Sequence, residues 1–270
     1  MKNLIFIYLI FFSFSSFSAD TPSICKRTQT VIKSYLSDPS SRIAFRNGGG
    51  LIGGGVCWWH SRLQRSSAYL VSFLPDASKP SKPEVWNILS TLRKMNAPAI
   101  IPGYRDFETF SRDWEREVQG MLDDWQKLDG FFNFQWIRGI SGSSRLDPEA
   151  MELRMKSVYE TYLSSPTPVW IMAQIRGIEA HSYLILNMTA RENGYDMEVI
   201  DSNYPSDLLK IEYYIGDVEL TAPNVGFTFV PYVGFQNDLR QIFSTLEREC
   251  GRPSHTLVLP AIPLGDVEIP

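Results

Sequence analysis

Histidine and cysteine are scarce in this chain of 270 residues, which has three of each. Neither Cys-x-x-Cys nor His-Glu-x-x-His spacing occurs, so the common zinc signatures are absent and no metal is expected. Positive charge is not in excess either, with 26 Lys and Arg against 30 Asp and Glu and no basic stripe. Nucleic acid is therefore not an expected partner. Long apolar runs are also lacking. Leu4 to Phe12 is the longest, and it falls short of the ~20 residues that span a bilayer. It follows the positive start Met1-Lys2-Asn3 and precedes the small residues Ser16, Ser18 and Ala19. That order is an export signal over residues 1–19, cleaved near Ser18 or Ala19. The expected product is periplasmic or secreted, with no stable membrane insertion after cleavage. The run Gly48-x-Gly50-x-x-Gly53 matches a dinucleotide fingerprint in form. No apolar strand precedes it and no βαβ alternation follows, so no nucleotide cofactor is expected.

What remains suits one large domain over residues 20–250, followed by a proline-rich tail at 251–270. Helical patterns come first. Residues 20–38 place Ile24, Val31, Ile32 and Leu36 on one side, and Cys57 to Phe73 reads as a mostly buried helix. Pro83-Glu84 opens a helix to about Met95. From Asp106 to Leu128, apolar residues from Phe107 to Trp125 recur at three and four positions, and Gly130 is a stop signal. Arg112, Glu115, Arg116 and Asp123 read as the solvated face of that helix. Asp147-Pro148-Glu149 starts another helix, to Leu163. After Pro166 come strand patterns at Val169–Ile175, His181–Met188, Tyr195–Asp201, Leu209–Ile215 and Val225–Val230, with a hairpin turn at Glu192-Asn193-Gly194. A helix over Gln236–Glu249 closes the domain. Helices followed by an antiparallel meander give an α+β fold class.

An exported protein with three cysteines leaves one thiol over. Cys25 and Cys250 lie near the two ends of the domain, and chain ends often meet. Their pairing is the preferred one and frees Cys57; a bridge from Cys57 to either of the others is the alternative. Cys57 follows an unusual stretch, Asn47 to Gly55, in which six of nine residues are glycine. Glycines allow close backbone approach, and a helix N-terminus favours a thiolate. A base for such a thiol must come from His60, His181 or His255. His60 is one helical turn away and His255 lies in the tail. His181 opens a strand whose hairpin partner ends at Asp201, a placement that brings a carboxylate to orient the imidazole. Cys57, His181 and Asp201 are thus the candidate catalytic residues, with Asn203 as the alternative third member.

Gly55-Val56-Cys57-Trp58 opening a long helix, the distant His181-Ser182, and Val199-Ile200-Asp201-Ser202-Asn203-Tyr204-Pro205 together resemble the papain-like cysteine peptidase superfamily. The chain order and the helices-then-sheet layout agree with it. The resemblance implies a papain-like domain with a helical insertion at about residues 75–165. It also implies a cysteine hydrolase, a peptidase or amidase, acting on protein, peptide or cell-wall amides without a cofactor. One departure stands out: Leu51 occupies the position where the family carries an oxyanion-binding Gln. Asn47 is the candidate replacement, with Gln174 a second. The competing reading is a secreted binding protein that keeps this fold without catalysis, in which Cys57 is a small buried hydrophobe.

Overall fold

The computed structural model describes residues 23–50, 55–133, 143–177, 179–224, 226–234 and 236–251. Residues 1–19 (read from sequence as an export signal), Leu51, His255 and the tail beyond Gly251 lie outside them. The first described element is a 3-10 turn at Ser23–Lys26, followed by α1 (Gln29–Ser37). Thr28 Oγ1 caps α1 by accepting from the Val31 N–H at 3.3 Å.

Helix α2 (Cys57–Leu70) is shorter than its sequence pattern. Val71–Phe73, expected as its last turn, forms strand β1 (Val71–Leu74) instead. It pairs in parallel with β2 (Ala99–Pro102), register Val71↔Ala99, across α3 (Lys82–Lys94). Ladder pairing here overrides the helical periodicity, as tertiary context commonly does for β-branched and aromatic residues. The pattern over 106–128 divides into α4 (Phe107–Asp113) and α5 (Glu115–Asn133), which part at Trp114. The Trp114 indole donates to Tyr104 Oη at 3.0 Å, and that hydroxyl donates to Asp113 Oδ2 at 3.0 Å. Helix α5 also continues through Gly130, which costs a helix interior only ~1 kcal/mol. Asp106 and Asp147 cap α4 and α6 (Pro148–Ser164) by accepting from Thr109 N and Ala150 N at 2.7 and 2.8 Å.

The second half is an antiparallel sheet of β3 (Val169–Arg176), β4 (Glu179–Arg191), β5 (Gly194–Asp201), β6 (Leu208–Tyr214), β7 (Leu220–Thr221) and β8 (Thr228–Val233). The order is β6-β5-β4-β3-β8-β7. A simple meander was expected after Pro166; β8 instead crosses to the free side of β3. Helix α7 (Gln236–Cys250) is the last helix among the described residues. Successive strand residues face opposite ways, and both faces are covered. Trp170, Met172, Leu184 and Ile200 face the core of α2, which also holds Val85, Leu89, Phe107, Leu122 and Trp125 from α3, α4 and α5. Ile171, Tyr183, Ile185 and Val199 face a second core with Met151, Met155 and Val158 of α6. The arrangement is α+β.

Helix α2 is buried on every side, including its polar residues. Gln64 accepts from Ile43 N at 2.8 Å and donates to Ser41 O at 3.1 Å. Arg62 pairs with Asp238 of α7 at 2.7 Å and with Asp129 of α5 at 2.5 Å, and Arg65 pairs with Asp238 at 3.3 Å. Cys25 and Cys250 form a disulfide, and Cys57 is left as a free thiol. Among the described residues, no helix is long and apolar enough to cross a membrane.

Candidate active site

Cys57 is the first residue of α2, and its N-cap, Val56, supplies no side-chain cap. Its amide belongs to the first turn, where N–H groups have no intrahelical acceptor. The residue is 7 % exposed. Ser182 of β4 fixes it from behind: the Ser182 hydroxyl donates to the Cys57 carbonyl at 2.7 Å and lies 2.9 Å from Ser61 Oγ, one turn further along α2. The Cys57 thiol is 4.0 Å from the Ala180 carbonyl.

His181 is therefore set next to the thiol by its neighbours on both sides in the strand. It is the third residue of β4, which begins at Glu179. The imidazole Nε2 is 2.6 Å from Asp201 Oδ1, which leaves Nδ1 for the thiol. The hairpin brings the pair together diagonally. Asp201 stands opposite Tyr183, and His181 is two residues along on the same face. Such diagonal neighbours are within reach of longer side chains. The Tyr183 and Phe227 rings meet the imidazole edge-on at 5.0 and 6.2 Å. His181 is buried, and burial by itself lowers its proton affinity. The charge and hydrogen bond of Cys57, together with the hydrogen bond to Asp201, outweigh that and push the pKa up to about 10.

Asp201 is held in turn by the Asn203 amide, which donates to its Oδ1 at 2.7 Å. The Asn203 side chain points elsewhere: its Oδ1 accepts from Asn47 Nδ2 at 3.4 Å. Of the two expected third members, Asp201 is the one bonded to the imidazole. Asn47 lies beside the entry to α2. Its backbone N–H donates to Ser202 O at 2.6 Å, and its Oδ1 accepts from the Val56 N–H. Gly55 must be glycine for this, since a Cβ there would sit 2.6 Å from Asn47 Nδ2 at φ +80°.

The other sequence candidates are engaged elsewhere. His60 Nε2 is 3.1 Å from the Phe45 carbonyl. Burial drives its pKa down to about 4, so it is neutral at pH 7 and donates to Phe45 O. Gln174 spends its amide protons on Gly177 O and Glu179 O, at 2.9 and 3.1 Å, closing the β3–β4 connection. Two residues were missed from sequence. Ser182 carries no signal except its place after His181. Asp123, expected on a solvated face, is half-buried and accepts from the Gly50 N–H at 2.9 Å. A cavity of about 220 Å³ beside Asn187, Thr189 and Lys210 lies across β4, β5 and β6 and includes none of these residues. Among the described residues, no cluster of three His, Cys, Asp or Glu side chains is placed to hold a metal ion. No family model, curated protein or solved structure matches the chain.

Proposed function

We propose that the protein is an exported cysteine hydrolase with a papain-like fold, a peptidase or amidase acting on amide bonds of protein, peptide or cell-wall material. One observation carries this reading. A free thiol at an uncapped helix start meets a buried histidine whose far nitrogen is 2.6 Å from a buried carboxylate. An imidazole with a pKa pushed up to about 10 holds its proton through neutral pH beside the Cys57 sulfur. That pairing suits a thiol nucleophile with its acid–base partner. The Cys25–Cys250 disulfide supports export, because such bonds persist in oxidising compartments.

In the proposed reaction, the Cys57 thiolate attacks the amide carbon, and the carbonyl π electrons move to its oxygen. The Cys57 N–H donates to that oxyanion. Asn47 Nδ2, beside Gly55, supplies a second donor. The C–N bond then breaks as His181 gives its proton to the leaving nitrogen, which leaves a thioester on Cys57. His181 next takes a proton from water, whose oxygen attacks the thioester. The acid leaves and the thiolate–imidazolium pair re-forms. Asp201 keeps the imidazole in one tautomer and orientation throughout.

The low exposure of Cys57 and His181, 7 % and 5 %, favours a second reading, a secreted binding protein with the same layout and no turnover. Iodoacetamide alkylation of Cys57, followed by mass spectrometry on the mature protein, separates the two. For the hydrolase, alkylation stays fast well below the free-thiol range of ~8.5, and His181→Ala loses that low-pH reactivity. Slow alkylation with the same pH profile in both proteins would favour the binding protein.

A further inference from the structure

We infer that three polar side chains on one face of α5, Gln119, Asp123 and Gln126, act as a positioning clamp that sets where α2 begins and so where Cys57 stands. The inference rests on the reading of Cys57 as a nucleophile. The three residues fall four and three apart, which stacks them along one side of a helix. Each bonds the backbone of the glycine-rich stretch. Gln119 Nε2 donates to Gly48 O at 3.0 Å, Asp123 Oδ1 accepts from Gly50 N at 2.9 Å, and Gln126 Nε2 donates to Gly55 O at 3.0 Å. Gln119 Nε2 also donates to Asp123 Oδ1 at 2.8 Å, which holds the carboxylate in place. The stretch closes on itself through Gly55 N, which donates to Gly49 O at 3.0 Å.

Close approach explains the glycines. A Cβ at Gly49 would lie 2.6 Å from Gln119 Nε2 and 2.8 Å from Asp123 Oδ1, at φ +61°. A side chain there would displace these two side-chain ends from their backbone partners, in a conformation that residues other than glycine rarely adopt. On its other side the same stretch is tied through Asn47 to Ser202. Glycine-rich backbone has the most conformational freedom to lose, and α2 has no capping side chain to mark its start. The bonds from α5 supply that mark. Displacing a reacting group by ~1 Å can cost ~100-fold in rate, so a clamp two residues before the nucleophile acts on chemistry as well as on folding.

The test uses the full mature protein and reads the ratio of Cys57 alkylation rates at about pH 6 and about pH 9, a ratio that cancels reagent access and reports the thiol–imidazole coupling. Thermal melting is recorded alongside. The expected result is a folded Asp123→Ala, Gln126→Ala double variant whose ratio falls about tenfold, with Asp123→Asn, which keeps an acceptor oxygen, recovering most of it. Asp124→Ala, on the exposed face of the same helix, keeps the wild-type ratio. If the double variant does not fold, Gln126→Ala alone carries the test, with a fall of about threefold expected. A folded variant with the wild-type ratio overturns the clamp and leaves the hydrolase reading standing. A wild-type ratio no higher than that of His181→Ala overturns the hydrolase reading itself, and the clamp with it.

Discussion

At the scale of single residues, the partnership of His181 and Asp201 was legible because a hairpin brings the start of one strand to the end of the next. The register was not. Asp201 pairs with Tyr183 rather than His181, and only the length of the imidazole closes the gap to 2.6 Å. The choice between Asp201 and Asn203 likewise depended on the turn after β5, where the Asn203 amide bonds Asp201 and its side chain faces Asn47. The two buried histidines differ by their neighbours. His181 faces Cys57 and Asp201, whereas His60 faces a backbone carbonyl and is held neutral, with a pKa of about 4. An unfolded histidine titrates near ~6.5. Below that value the unfolded chain takes a proton that folded His60 refuses. The contribution is intact above about 6.5 and is lost as pH falls towards about 4, at a cost of up to roughly 3 kcal/mol. Urea unfolding at about pH 7 and about pH 4.5 should show this loss in the wild type and a smaller one in His60→Gln. Equal losses in the two proteins would show that His60 is not the group responsible.

At the scale of elements, helices with clear apolar spacing and capping residues were readable, as at Asp106 and Asp147. The errors came where a distant partner decided the outcome. Val71–Leu74 became a strand because Ala99–Pro102 lies beside it, and the break at Trp114 follows its bond to Tyr104. Helix α2 was readable as mostly buried, and every residue in it is buried, Arg62, Arg65, Gln64 and His60 included. Partners on α5 and α7 make this tolerable, above all Asp238, which bonds Arg62 at 2.7 Å and Arg65 at 3.3 Å. Removing one member of a buried ion network leaves charge without compensation. Asp238→Ala should therefore lower stability by about 3–5 kcal/mol in urea titration. A loss under about 1 kcal/mol, typical of an exposed pair, would mean that water reaches these arginines.

At the scale of the whole molecule, the Cys25–Cys250 bridge joins elements 225 residues apart, linking the first turn to the last helix. A crosslink over so long a loop restricts the unfolded chain strongly. Replacing both cysteines with Ser should cost about 3–5 kcal/mol, read as a lower midpoint in urea, while His181-dependent alkylation of Cys57 persists. Loss of that reactivity in a folded variant would show that the bridge shapes the site as well as the stability. Composition and spacing by themselves determined the α+β class, the hairpin that joins His181 to Asp201, and the odd thiol at a helix start. All of these follow from local periodicity, turn chemistry and counting. The Cys25–Cys250 pairing was already the preferred one from the position of the two cysteines near the ends of the domain. Tertiary structure alone decided the strand register, the hold of Ser182 on Cys57 and the grip of α5 on the glycine stretch. Each of those depends on residues far apart in the chain meeting at hydrogen-bond distance, and no local pattern encodes such a meeting.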